Sequence, residues 1–368
     1  MTFGIIPMTI LQETPGNAVC SPVGVFTLLS ILQQGSRGHS REEINTALHA
    51  QPEETQEACR NITEGYNGYS ERQLMLDFKN RAFIHSTFEV LPDFKQTLVD
   101  DFKSDIDLVD FLFPSNASAQ INSWVAENTH NRINKLFEPD DLPDATRLAI
   151  VNVIYFKNYW LAPFYNTQNK NFSSEPQVQT LVPTLSMTAI FRGGEDSELG
   201  AKFVHMDFAR TADFTVLLIL PTERHGLDNL LNRLTADNLV NIFNHTGLKD
   251  VTLSVPKFRL NSDIDLVGKL QRLGVNDVFN DVANLTGIAS LPLFVGKFIQ
   301  KAEIALDEGG VTASAATGFT VQQRSGRGYP HVSETMEFIA DHPFLFFIVD
   351  RVNFLPLFAG RVKSLSSS

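Results

Sequence analysis

Cysteine and tryptophan are scarce in this chain, with two of each in 368 residues. Cys20 and Cys59 are too few for a disulfide framework, and neither sits at the Cys/His spacing of a zinc site. The nine histidines are scattered, with no HExxH and no H-x-H. No P-loop, dinucleotide fingerprint or G-x-S-x-G elbow is present. No metal and no cofactor is therefore expected. Asp263 and Asp265 form a possible carboxylate pair, but they read better as a strand-to-helix turn capping residues 266–273. His205 and His342 read as structural or solvated, and no residue pattern argues for an enzyme. Apolar runs are short: none approaches the roughly 18 residues of a membrane span. Basic residues are also outnumbered, 30 to 42, for a net charge of −12. That balance argues against a nucleic-acid partner. No helix clusters basic residues in a way that would hold a heparin-type polysaccharide or an anionic membrane.

Phenylalanine is abundant, 29 residues in a chain that is 43% hydrophobic, which suits a large sheet-rich interior. No Pro/Gly/Ser-rich linker divides it, so residues 1–368 read as a single domain and a monomer is expected. Residues 1–16 lack the basic start and cleavage site of a signal peptide and read as a short amphipathic helix. Sequons at Asn61, Asn116, Asn171, Asn244 and Asn284 lean toward glycosylation and an extracellular location, with the export signal outside this sequence. Ser21-Pro22 opens a helix that Gly35 closes, with Val25, Phe26, Leu28, Leu29 and Leu32 on a wide apolar face. Ser40 and Glu43 have capping-box spacing for the next helix. Ile121, Trp124, Val125, Ile133 and Leu136 fit one stripe of a helix. Residues 148–156 and 214–220 read as buried strands, and 344–362 as a hairpin. The mixture is α+β, with helices early and strands late.

Residues 308–333 have the polarity of a loop and, inside it, the alternation of a strand. Val311, Ala313, Ala315, Thr317, Phe319 and Val321 interleave with Thr312, Ser314, Ala316, Gly318, Thr320 and Gln322. One set is mostly apolar and the other small or polar, the period-2 pattern of a half-buried strand. A connection of this length between two strand-like segments is rare in a compact domain unless it is functional.

The chain resembles a serpin from about residue 3 to residue 363. NAVCSP (17–22) resembles the strand-to-helix opening beneath the family's main sheet, and GSRGHSREEI (35–44) the turn between its second and third helices. INSWVAENTHNRINKL (121–136) is similar to the helix over the main sheet, and VNVIYFKNYWLAPF (151–164) to its central strand. VPKFRL (255–260), QKAEIALDEGG (300–310), PFLFFIVD and LFAGRV complete the series. The resemblance implies a serpin-like domain with a large mixed main sheet, two smaller sheets, about eight or nine helices and an exposed reactive loop at about 308–333.

The function implied is suicide inhibition: a serine protease cuts the loop, and the cut loop inserts into the main sheet while the acyl-enzyme persists. In the family the hinge Glu opens a stretch of about seventeen residues ending before the cut bond, and Glu308 as the first makes Arg324 the seventeenth. The implied bond is Arg324-Ser325, with 310–323 inserting, and an arginine there suits a trypsin-like protease. Arg327-Gly328 is a second candidate bond. The implied hinge runs through Glu308, Gly309, Gly310, Val311, Thr312, Ala313, Ser314, Ala315, Ala316 and Thr317. Lys257 and Trp160 match the positions where insertion begins. Ser21 and Asn152 match the polar network under the sheet, while Gln300 stands where the family often has His and Gly24 where it often has a second Ser. Asn158 replaces a typical Gly, and Val311 a typical Thr or Ser. A non-inhibitory serpin, acting as a binding protein, carrier or decoy whose loop inserts slowly or not at all, is the alternative.

Overall fold

A computed structural model describes residues 5–66, 75–209, 213–244, 246–311 and 334–366. Among these residues there are nine helices. The first six are α1 (Ile5–Glu13), α2 (Pro22–Gly35), α3 (Gly38–Leu48), α4 (Pro52–Tyr66), α5 (Pro92–Phe102) and α6 (Pro114–Glu127). The others are α7 (Leu227–Arg233), α8 (Ala236–Asn244) and α9 (Val267–Arg272). The first eight strands are β1 (Ala18–Cys20), β2 (Met75–His85), β3 (Asp105–Val109), β4 (Leu148–Tyr159), β5 (Thr167–Glu175), β6 (Val178–Asp196), β7 (Ala201–Asp207) and β8 (Phe214–Pro221). The rest are β9 (Gly247–Pro256), β10 (Phe258–Asp265), β11 (Lys297–Leu306), β12 (Gly310–Val311), β13 (Thr335–Ile339), β14 (Phe344–Asp350) and β15 (Leu355–Val362).

Six strands form a mixed sheet in the order β10-β11-β12-β4-β2-β3. The other nine form a second sheet, β1-β15-β14-β8-β7-β6-β9-β13, with β5 on β6. The two smaller sheets anticipated from the resemblance are thus hydrogen-bonded into one path. The 19-residue β6 joins them: its first part pairs with β5, its middle with β9 and its end with β7. Contacts divide the chain into two compact units. The first comprises residues 1–10, 20–155 and 261–303; the second comprises 11–19, 156–260 and 304–368.

In the first unit, α2 forms for the reasons legible in its sequence. The Ser21 hydroxyl accepts from the Gly24 N–H, Pro22 takes the first turn, and all but one of the helix's fourteen residues are buried. The Ser40–Glu43 capping box does not form. The helix starts earlier, at Gly38 (φ +53°), and both side chains cap other segments instead. Ser40 Oγ accepts from Asn284 N, and Glu43 accepts from the N–H groups of Asn276 and Asp277. Helix α6 is also shorter than its apolar stripe. It ends at Glu127 because His130 and Asn131 adopt left-handed conformations (φ 52° and 58°) and the Thr129 hydroxyl captures the Ile133 N–H. Ile133 and Leu136 still reach the core under α6, beside Ile121, Trp124 and Val125 and against Val151 and Val153 of β4. The SDIDL turn is the expected cap: Asp265 accepts from Val267 N, and Asp263 pairs with the buried Lys301.

In the second unit, β14 and β15 form the expected antiparallel hairpin, every residue of both strands buried and the turn between them largely exposed. His342 is structural as expected, with Nδ1 on Asp341 and Nε2 on the Pro221 carbonyl. His205 is buried as well, but neither ring nitrogen has a hydrogen-bond partner, and its ring packs edge-on against Phe243 with centroids 4.8 Å apart.

Candidate functional site: a sheet seam and its hinge

In the second unit, the chain leaving β11 reverses within four residues. Asp307 organises the turn. Its Oδ1 accepts from Gly309 N (2.9 Å) and Gly310 N (3.2 Å), and its own N–H donates to the Gly310 carbonyl (3.0 Å). An Asp two positions before a Gly is a turn signature, so this residue was legible in the sequence but passed over. Gly310 and Val311 then run back as β12. Val311 pairs with Leu306 of β11 on one side and Asn158 of β4 on the other, and Gly310 pairs with Tyr159. Gly310 is needed here for space: a Cβ would stand 2.0 Å from the Asn158 carbonyl oxygen. Val311 is fully buried. The part of the loop that was expected to be exposed therefore begins inside the sheet. In the first unit, β11 and β4 pair directly and in parallel, from Lys297↔Ala149 to Ala302↔Ile154.

Side chains predicted from the resemblance converge on this turn. Lys257 Nζ lies 2.8 Å from the Glu308 carboxylate, which also accepts from Thr167 Oγ1 (2.9 Å). Trp160, 3% exposed, donates through Nε1 to the Asp307 carbonyl and through its backbone to Gly309 O, both at 2.9 Å. Its ring stacks on Phe208, with centroids 5.1 Å apart and planes at 7°. Partial burial pulls the Glu308 carboxyl upward, but the hydrogen bonds from Lys257, the backbone and Thr167 outweigh it and hold the group below its ordinary range. Asp307 is displaced the other way, raised by burial despite its two backbone hydrogen bonds. Asn158 is fully buried, and its Nδ2 lacks a hydrogen-bond partner beside the seam.

A second cluster lies in the first unit. Gln300 closes a ring of two bonds with Ser21, Oε1 accepting from its N–H (2.7 Å) and Nε2 donating to its carbonyl (2.9 Å). Gln300 Nε2 also reaches Asn152 Oδ1 (3.1 Å), whose Nδ2 donates to Asn80 Oδ1 (2.9 Å). A Cβ on Gly24 would stand 2.2 Å from Asn152 Oδ1 and 2.5 Å from Gln300 Nε2. Gly24 and Gln300 are therefore one exchange: the glycine leaves the space that the two amides fill. Ser21, Asn152 and Gln300 are all fully buried.

Arg324, Ser325, Arg327, Gly328 and hinge positions Thr312, Ala313, Ser314, Ala315, Ala316 and Thr317 lie outside the described residues. Of the sequons, Asn61, Asn116 and Asn171 are exposed and Asn284 is half-buried; the Asn244 side chain lies outside the description. Both cysteines are free and buried, and that burial pushes each thiol up to about 12.

The sheet thus takes the start of a connecting segment between two of its strands. The family model described as "Serpin (serine protease inhibitor)" matches residues 1–365. A "Serine protease inhibitor" of Cyanea capillata is 29% identical over 96% of this chain and 94% of its own. The "Leukocyte elastase inhibitor" of Sus scrofa is 30% identical over 95% of this chain and 93% of its own. Among solved structures, Serpin48 of Tenebrio molitor, described as highly specific, superposes with a TM-score of 0.85 at 29% identity, over 98% of this chain and 95% of that one. The chain belongs to the serpin family.

Proposed function

We propose that this serpin is a suicide inhibitor of a trypsin-like serine protease, cut at Arg324-Ser325. Residues 310–323 then insert as a strand between β11 and β4 while the acyl-enzyme persists, and the chain itself turns over no substrate. One observation carries the reading: β12 is hydrogen-bonded to both β11 and β4 before any cut. Burying a valine such as Val311 stabilises by about 1.5–3 kcal/mol, so the insertion nucleus is formed in advance. Strand addition also offers the buried Asn158 amide a partner, and leaving such a donor unpaired costs about 1–3 kcal/mol. The exposed sequons at Asn61, Asn116 and Asn171 support an extracellular inhibitor.

The slow or non-inserting alternative is favoured by a different observation. The amides of Asn152 and Gln300 interlock with Ser21 at full burial, and parting strands there breaks several bonds at once. Incubation with near-equimolar trypsin separates the two readings on a denaturing gel. Inhibition gives a covalent band at the summed mass that disappears in Arg324→Ala. Cleavage near Arg324 without that band leaves a substrate and refutes the inhibitor reading.

A further inference from the structure

Three metal-ligating side chains meet in the first unit, away from the hinge turn: His39, Glu43 and Asp277. His39 and Glu43 lie four residues apart on α3, so they share one face of that helix. Asp277 comes from the turn at 277–279, far away in sequence. Their donor atoms all lie within 4.8 Å of one another. His39 Nδ1 stands 2.8 Å from Asp277 Oδ2 and 3.9 Å from Glu43 Oε1. Two donors of a tetrahedral zinc ion, each bonded at about 2.0 Å, stand about 3.3 Å apart, between the two separations observed.

Glu43 is already oriented as a ligand. Its Oε2 accepts from the N–H groups of Asn276 and Asp277, both at 2.8 Å, which leaves Oε1 facing His39. Outer hydrogen bonds of this kind fix a ligand before the ion arrives. The charges also favour a cation. The Glu43 and Asp277 side chains are only 11% and 20% exposed, and neither is paired with Lys or Arg among the described residues. Nearby Arg37 and Arg41 turn away, to the carbonyls of Gln34 and Ser36. Only the imidazole stands between the two carboxylates. The hydrogen bond and charge of Asp277, and then the charges of Glu43 and Glu42, raise its pKa above the ordinary value. A proton there offsets one of the two carboxylates, whereas a divalent ion beside a neutral imidazole offsets both.

We propose that His39, Glu43 and Asp277 form a surface site for a divalent transition-metal ion, with water in the open fourth position. One imidazole nitrogen and two carboxylate oxygens suit Zn²⁺ better than Mg²⁺ or Ca²⁺, which prefer all-oxygen shells. The ion fastens α3 to the 277–279 turn. Phe279 of that turn packs edge-on against Phe298 of β11, with ring centroids 6.1 Å apart, so the clamp reaches a strand of the seam.

Calorimetric titration of zinc chloride into the metal-stripped full chain tests the site. One equivalent should bind with micromolar affinity, and the melting temperature should rise with zinc. His39 is 71% exposed, so His39→Ala leaves the fold intact. Glu43→Gln keeps an amide oxygen for the Asn276 and Asp277 N–H groups while removing the charge. Each variant should weaken zinc binding about tenfold or more and shrink the rise in melting temperature. Cobalt(II) in place of zinc should show d–d absorption without a thiolate band, because both cysteine thiols are buried and protonated. The proposal is overturned by a missing one-equivalent event, by unchanged affinity in both variants, or by a thiolate band. Displacement of zinc by an equal concentration of Mg²⁺ also overturns it, since that marks a merely acidic patch. No protease enters the assay, so its result is independent of the inhibitor reading.

Discussion

Restoring a serine at position 24 should damage this protein, although the family often carries serine there. The Cβ of Gly24→Ser would lie 2.2 Å from Asn152 Oδ1 and 2.5 Å from Gln300 Nε2, and both amides are fully buried. Forcing extra atoms into a packed core costs about 1–3 kcal/mol. If Gln300 is displaced, the buried Ser21 N–H and C=O lose partners at 2.7 and 2.9 Å, at about 1–3 kcal/mol for each group left unsatisfied. Replacing a helical glycine returns only about 0.5 kcal/mol. With Gln300 displaced, the net loss should be about 1.5–5.5 kcal/mol. Gln300→His alone should also destabilise, because it opens a gap opposite Gly24 and breaks the bonds to Ser21. Together the two changes rebuild a serine–histidine pair in the same space. The double variant should therefore be less damaged than the sum of the singles by about 1 kcal/mol or more. The first unfolding transition in guanidinium chloride, followed by tryptophan fluorescence, measures all four proteins. Additivity within about 0.5 kcal/mol would mean the positions are independent and the exchange argument is wrong.

Two other perturbations probe the hinge. Gly310→Ala places a Cβ against the Asn158 carbonyl oxygen and blocks β12, so trypsin should cut the loop with at least about a tenfold lower yield of covalent complex; an unchanged yield would remove β12 from the mechanism. Asp307 is raised by burial, so its stabilising contribution is complete below the ordinary carboxylate value and is lost as pH rises through the raised one. Glu308 is depressed, so its contribution is present above its ordinary value and is lost as pH falls through the lowered one. Asp307→Asn keeps an acceptor for Gly309 and Gly310 and removes the buried charge. It should melt higher than the wild type at pH 7 and lose the part of the pH slope just above the ordinary carboxylate range; a lower melting point at pH 7 would contradict this.

What could be read from sequence was local. Ser21-Pro22 reported its own cap, and the unbroken apolar run of β4 reported burial on both faces. Features that depend on distant residues were not legible. Gly24 and Gln300 looked like two separate departures because only the fold brings them into one space. Ser40 and Glu43 have the spacing of a capping box, yet Asn284, Asn276 and Asp277 claim them in the fold. The stripe from Ile121 to Leu136 was real, but it is carried past α6 by two left-handed residues rather than by helix. Thr167 and Phe208, which hold Glu308 and Trp160, have no local pattern to announce them. An isolated histidine such as His205 carries no sign in sequence of whether its nitrogens are satisfied.

The claim that the segment after β12 completes a strand between β11 and β4 is tested most directly by melting the intact protein and the protein nicked by trypsin at the loop. Burial of Phe319 and Val321 contributes roughly 3–6 kcal/mol, so the nicked form should melt about 4–8 °C or more above the intact one. A nicked protein that melts at the same temperature or lower, with its loop still open to further digestion, would contradict the account.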